Sequence, residues 1–85
     1  MDELIQDALN RNEPNQALDY AQALLAHDPL WEPGYCYLMQ AYAKLGNHAM
    51  VLQSFQQCQE VLSRQLGSAV SAETQAMFAE LTKAP

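Results

Sequence analysis

The stretch that decides the fold is residues 32–62, EPGYCYLMQAYAKLGNHAMVLQSFQQCQEVL. Its apolar residues recur every three or four positions on both sides of Gly46, and this spacing is typical of amphipathic α-helices. Glycine interrupts a helical pattern and favours a turn. The stretch therefore predicts two helices joined by a short turn, one over 33–45 and the other over 48–66.

The same pattern occurs a second time, 34 residues earlier in the chain. With that offset, apolar residues fall on apolar residues in both helices, at Leu4 and Leu38, Ile5 and Met39, Ala8 and Tyr42, Ala17 and Val51, Leu18 and Leu52, Ala21 and Phe55, and Leu24 and Cys58. Asn12 falls on Gly46, so the turn repeats as well. The first copy predicts helices over 2–11 and 15–27.

A third helical pattern follows the second copy. Gly67 is suited to end the long helix, because glycine adopts the left-handed conformation of a helix C-cap. Ser71 is suited to begin a further helix over 72–83 as its N-cap. The apolar stripe Met77, Phe78 and Leu81 should then cover the last repeat, over Val51, Phe55, Cys58 and Leu62. The alternative is that this stripe binds a partner.

Residues 32–62 resemble a tetratricopeptide repeat, which has a helix-pair period of 34 residues. The matching positions are Tyr35, Leu38 and Tyr42 in the first helix, Gly46 in the turn, and Val51 and Phe55 in the second helix. The resemblance implies one all-α domain over 1–85, a right-handed tetratricopeptide-like array of two helix pairs and a C-terminal capping helix. Residues 1–29 would form a truncated first pair, residues 32–66 the second pair, and residues 72–83 the cap.

The C-terminal part resembles the bacterial transcriptional activation domain of antibiotic regulatory proteins. The residues that carry this resemblance are Cys58, Glu60, Leu62, Leu66, Gly67, Ser71, Glu73 and Thr74, and it extends over about 17–81. It implies a protein-protein interaction module of a transcription regulator that acts by self-association or by docking a partner. The winged-helix DNA-binding part of such regulators is not in this sequence, so an excised C-terminal half, a stand-alone relative and a tetratricopeptide fragment are all open. A non-transcriptional adaptor of the secretion or chaperone type and a small-ligand sensor are the alternative functions.

Composition argues against other classes of function. Ten acidic residues against four basic ones give a net charge of −6, whereas nucleic-acid binding needs clustered Lys and Arg, so the partner should be a protein or peptide. No leader and no apolar run long enough for a membrane span is present, which predicts a cytoplasmic chain. Cys36 and Cys58 are expected to act as small hydrophobes, and a structural disulfide between them is the alternative. His27 and His48 lack the spacing of metal ligands, and no catalytic motif is present, so neither an enzyme nor a cofactor is predicted.

Three sets of residues are candidates for binding. In tetratricopeptide folds the first helices of the pairs line a groove, and its candidates here are Asp2, Gln6, Leu9, Cys36, Gln40, Ala43 and Lys44. Together with Asp2, an acidic docking face would contain Glu3, Asp7 and Asp19. Trp31 and Tyr35 would be either buried between repeats or exposed as an aromatic anchor. A homo-oligomer is also compatible with the sequence.

Overall fold

The computed structural model describes residues 2–83, which form an all-α array. Its helices are α1 (Asp2–Asn10), α2 (Pro14–His27), α3 (Glu32–Lys44), α4 (His48–Leu66) and α5 (Ala72–Leu81). Each helix packs on the next along the chain, and α3 also packs on α1 and on α5. None of these helices is long and apolar enough to cross a membrane.

The turns inside the two helix pairs share an unusual backbone conformation. Asn12 and Gly46, which are 34 residues apart, have φ angles of 60° and 72°. Only glycine and, at small cost, asparagine adopt this left-handed region routinely. The repeat seen in the sequence is therefore also a repeat of the backbone.

Capping residues determine where α4 begins and ends and where α5 begins. The Asn47 side chain accepts a hydrogen bond from the Met50 backbone N–H, and Ser71 accepts one from the Thr74 backbone N–H. Gly67, with φ 63°, ends α4. The predicted caps at Ser71 and Gly67 are thus confirmed.

Most of the buried apolar residues belong to pairs that the repeat pattern matched, although Leu4 and Leu52 of those pairs are exposed. Ile5 and Met39 are both fully buried, and so are Ala17 and Val51. Cys58 is also in the core, where burial raises the pKa of its thiol to about 12, so that it stays neutral and packs as an apolar group. Because α3 contacts α1, α2, α4 and α5, it is the central helix of the array.

The last helix packs differently from the prediction. Phe78 stacks on Phe55 as expected, with ring centroids 4.1 Å apart and an interplanar angle of 9°. Met77 instead lies beside α3, where its Sδ accepts a hydrogen bond from the Gln40 Nε2 at 3.3 Å. The helix also ends at Leu81 rather than at Lys83. α5 therefore packs against both α3 and α4 instead of covering α4 alone.

Close packing between α2 and α3 depends on the absence of a side chain at Gly34. A Cβ there would lie 2.8 Å from Leu25 Cδ2 and 2.8 Å from Trp31 Cε3. We expect Gly34→Ala to cost 1–3 kcal/mol of overpacking, offset by about 1 kcal/mol of improved helix propensity. The net loss of about 1 kcal/mol should lower the melting temperature by about 5 °C, measured by circular dichroism.

The control for this prediction is Ser63→Ala, on the exposed side of α4. It gains helix propensity without meeting a neighbour, so its melting temperature should not fall. If Gly34→Ala proved as stable as the parent, the two helices would not be in their closest packing at this point.

Candidate interaction surfaces

Side chains of α1 and α3 form a hydrogen-bonded cluster on one side of the array. The Tyr37 hydroxyl donates to Asp2 Oδ2 at 3.1 Å, and Gln6 Nε2 donates to the Tyr37 oxygen at 2.8 Å. Asp2 and Gln6 were predicted to line a groove, and the structure brings them together. The sequence prediction missed Tyr37, although it shares a helical stripe with Gln40 and Lys44 that could have identified it.

A groove of about 400 Å³ runs between α3 and α5 beside this cluster. Cys36 and Met77 form part of its apolar lining, and Gln40 and Glu73 also line it. The Cys36 Sγ lies 3.4 Å from the Thr74 hydroxyl, and burial raises the pKa of the Cys36 thiol. The predicted groove residues Cys36 and Gln40 therefore line a groove of which α5 forms one wall. We refer to α1, α3 and α5, with this groove, as the α1–α3–α5 face.

Glu32 positions α5 at this groove. Its Oε2 accepts hydrogen bonds from the Ser71 backbone N–H at 2.9 Å and from the Ser71 hydroxyl at 2.6 Å, and a third from the Thr74 hydroxyl. Partial burial raises the pKa of the Glu32 carboxyl, but the hydrogen bonds from Ser71 and Thr74 favour the charged form and bring the pKa below its ordinary value. The carboxylate thus joins the first turns of α3 and α5.

Two predicted site residues are buried and cannot meet a partner. Leu9 is 6% exposed and Tyr35 is 2% exposed. The Tyr35 hydroxyl donates to the Pro29 carbonyl at 2.7 Å, which fixes the ring inside the array. Of the two alternatives for Tyr35, the structure therefore shows burial and not an exposed anchor. Trp31 is half-buried, and its ring lies 6.0 Å from that of Tyr37 with a tilt of 50°.

The remaining groove candidates lie at the far end of α3. Ala43 is half-buried and packs against the core. Lys44 is exposed and is the last residue of the helix. Neither lines the groove between α3 and α5.

The acidic residues of the N-terminal part do not form a single face. Asp2 lines a depression with His27 and Asp28 at one end of α1. Asp19, the sixth residue of α2, lines a separate depression with residues 12–16. Between them, Asp7 pairs with Arg11 at 3.1 Å, and Glu3 is exposed in the first turn of α1. Carboxylates from three different helices, Asp2, Glu32 and Glu73, instead lie on the α1–α3–α5 face.

The family model of the bacterial transcriptional activator domain matches residues 1–82 of the chain. The chain belongs to this family. Domains of this family are parts of transcription regulators. No curated protein and no solved structure matches the chain.

In this bacterial transcriptional activator domain, five of the eight residues that carried the resemblance in the sequence have structural roles. Ser71 and Gly67 are helix caps, and Cys58 and Leu62 are buried in the core. Thr74 is buried and bonded to Glu32. The other three residues of the resemblance, Glu60, Leu66 and Glu73, are exposed.

Proposed function

We propose that the chain is the protein-docking part of a bacterial transcription regulator and binds a basic segment of its partner on the α1–α3–α5 face. The observation that carries this proposal is the groove between α3 and α5, in which apolar Cys36 and Met77 are flanked by Glu32 and Glu73. The regulator's own DNA-binding part and the subunits of polymerase are the basic surfaces such a domain would meet in the cytoplasm.

The chemistry of the groove favours a short cationic peptide or helix edge. A small apolar side chain of the partner would contact Met77, while its Lys or Arg would face Glu73 and Asp2. The Gln40 amide lies in the same groove and offers both a donor and an acceptor to a peptide backbone. The same negative field repels phosphates, which favours a protein partner over direct contact with nucleic acid.

Exposed charge pairs of this kind add little affinity singly, about 0.2–1 kcal/mol each, and act mainly on the association rate. Binding should therefore weaken as salt rises, because ions screen the exposed charges. The salt dependence of binding on the α1–α3–α5 face can therefore be measured separately from the total affinity.

Removing two carboxylates from this face should weaken docking by about tenfold. The double change Asp2→Asn and Glu73→Gln keeps the side-chain sizes, and asparagine can still accept the hydrogen bond of Tyr37. Association should be measured by calorimetry with the regulator's DNA-binding part and with polymerase subunits, at low and high salt. The variant should bind more weakly than the parent and depend less on salt.

The matched control is Glu13→Gln with Asp19→Asn, which deletes one charge at the turn between α1 and α2 and one on α2. It removes the same number of negative charges but leaves the α1–α3–α5 face unchanged. Equal weakening by both variants would mean that only the net charge matters. Binding by neither partner class, or equal binding by parent and variant, would refute docking on this face.

A further inference from the structure

The charges of the molecule are segregated between two sets of helices. Helices α1, α3 and α5 carry six of the ten acidic residues, namely Asp2, Glu3, Asp7, Glu32, Glu73 and Glu80. Helices α2 and α4 carry two, Asp19 and Glu60, and Glu60 is paired with Arg64 at 2.8 Å. The outer surface of α2 and α4 consists largely of glutamine, alanine and other neutral residues.

A cleft of about 430 Å³ lies between α2 and α4. Within residues 2–83, no Cα atoms of these two helices lie within 8 Å of each other, and α3 forms the floor between them through Leu38 and Tyr42. The walls present Gln22 from α2 and Gln53 and Gln57 from α4. Every residue that lines the cleft is uncharged.

The cleft between α2 and α4 and the groove between α3 and α5 lie on opposite sides of α3. At 100° per residue, Leu38 and Tyr42 project about 150° from the side of the helix that carries Tyr37 and Gln40. The molecule measures 36 × 33 × 19 Å, a thickness that corresponds to two helix layers. The cleft therefore belongs to one of the two broad faces.

A two-fold contact between identical chains places the same patch on both sides, so the patch must be complementary to itself. Carboxylates fail this condition, because they only accept hydrogen bonds and repel one another. Primary amides meet it, since each has a donor and an acceptor. For a chain with a net charge of −6, a neutral amide-lined face is also where two copies approach with the least repulsion.

We infer that the α2–α4 cleft is the contact between two copies of this chain. Gln22, Gln53 and Gln57 would pair across the two-fold axis, while Leu25 and Met50 supply apolar area. A stable dimer buries about 800 Å² per partner, and a broad face of this molecule is large enough to provide it. The inference does not depend on docking at the opposite face, which would remain open in the dimer.

Sedimentation equilibrium of the chain over a wide concentration range tests this inference. The parent should reach a monomer-dimer equilibrium, and salt should strengthen the dimer because it screens the repulsion between two acidic chains. Docking of a basic partner has the opposite salt dependence, so failure of one proposal is distinguishable from failure of the other. A parent chain that stays monomeric at every concentration would overturn the inference.

Charge-reversal variants locate the contact. Gln22→Glu with Gln53→Glu places like charges across the axis and should raise the dimer dissociation constant about a hundredfold. The control, Asn15→Asp with Gln59→Glu, adds the same charge to the same two helices outside the cleft and should still dimerise. Mixing the Glu variant with Gln22→Lys and Gln53→Lys should restore a dimer of unlike chains. If the control dissociated as readily as the Glu variant, or if mixing restored nothing, the contact would lie elsewhere.

Discussion

Phe78→Ala is expected to lower the free energy of unfolding by about 3 kcal/mol. Phe78 stacks on Phe55 with ring centroids 4.1 Å apart, and the loss of its ring would uncover Phe55, which is 8% exposed in the array. A domain of this length has only about 4–13 kcal/mol of stability in total. The variant should thus lose a large part of its stability, visible as an early midpoint in urea denaturation.

Leu66→Ala is the matched control, because Leu66 is 60% exposed at the end of α4. It removes a large apolar side chain near the same helix pair but should change the midpoint little. An unchanged midpoint for Phe78→Ala would mean that α5 does not seal the array. The stripe around Phe78 would then be a partner site, the alternative that the sequence left open.

The sequence predicted the parts of the fold that depend on local signals. The repeat offset paired Asn12 with Gly46, and both residues adopt the left-handed conformation. Ser71 and Gly67 are recognisable as caps because their chemistry acts within one helical turn. For the same reason, α4 spans the residues that the sequence predicted for it.

The placement of α5 was not predictable in the same way. It depends on Glu32, which bonds to Ser71 and Thr74 some forty residues further along the chain. A first-turn glutamate is common in helices, since the positive end of the helix dipole stabilises its negative charge. Nothing in the local pattern indicates that this one reaches another helix, and so Cys36 and Gln40 were expected in an open groove rather than beside α5.

The predicted acidic face was assembled from residues that are close in the sequence, but sequence proximity does not give spatial proximity. Asp2 and Asp19 both belong to the first helix pair, but they line two different depressions of the surface. When each acidic residue is assigned to its helix, most of them fall on α1, α3 and α5, and few fall on α2 and α4. That assignment needs only the helix boundaries, and the sequence already contained them.

Glu32→Ala is the second change with a large expected effect, about 2–3 kcal/mol of lost stability. It leaves the buried Thr74 hydroxyl without its carboxylate partner and removes both bonds from Ser71. Glu32→Gln retains an acceptor oxygen but not the charge, so it should cost about 1 kcal/mol. Glu80→Gln, on an exposed side of α5, is the control and should be close to neutral.

The pH dependence of unfolding separates the charge from the shape of this side chain. The pKa of Glu32 is lower in the folded chain than its ordinary value. The stability that the charged carboxylate contributes is therefore complete at any pH above the ordinary pKa, and it is lost as the pH falls through the folded-state pKa. Urea denaturation of parent and Glu32→Gln at neutral pH and at about pH 3 should therefore show the two converging in acid. If instead the difference between them stayed constant, the charged form of Glu32 would contribute nothing beyond a neutral acceptor, and α5 would be held on α3 and α4 by its apolar contacts alone.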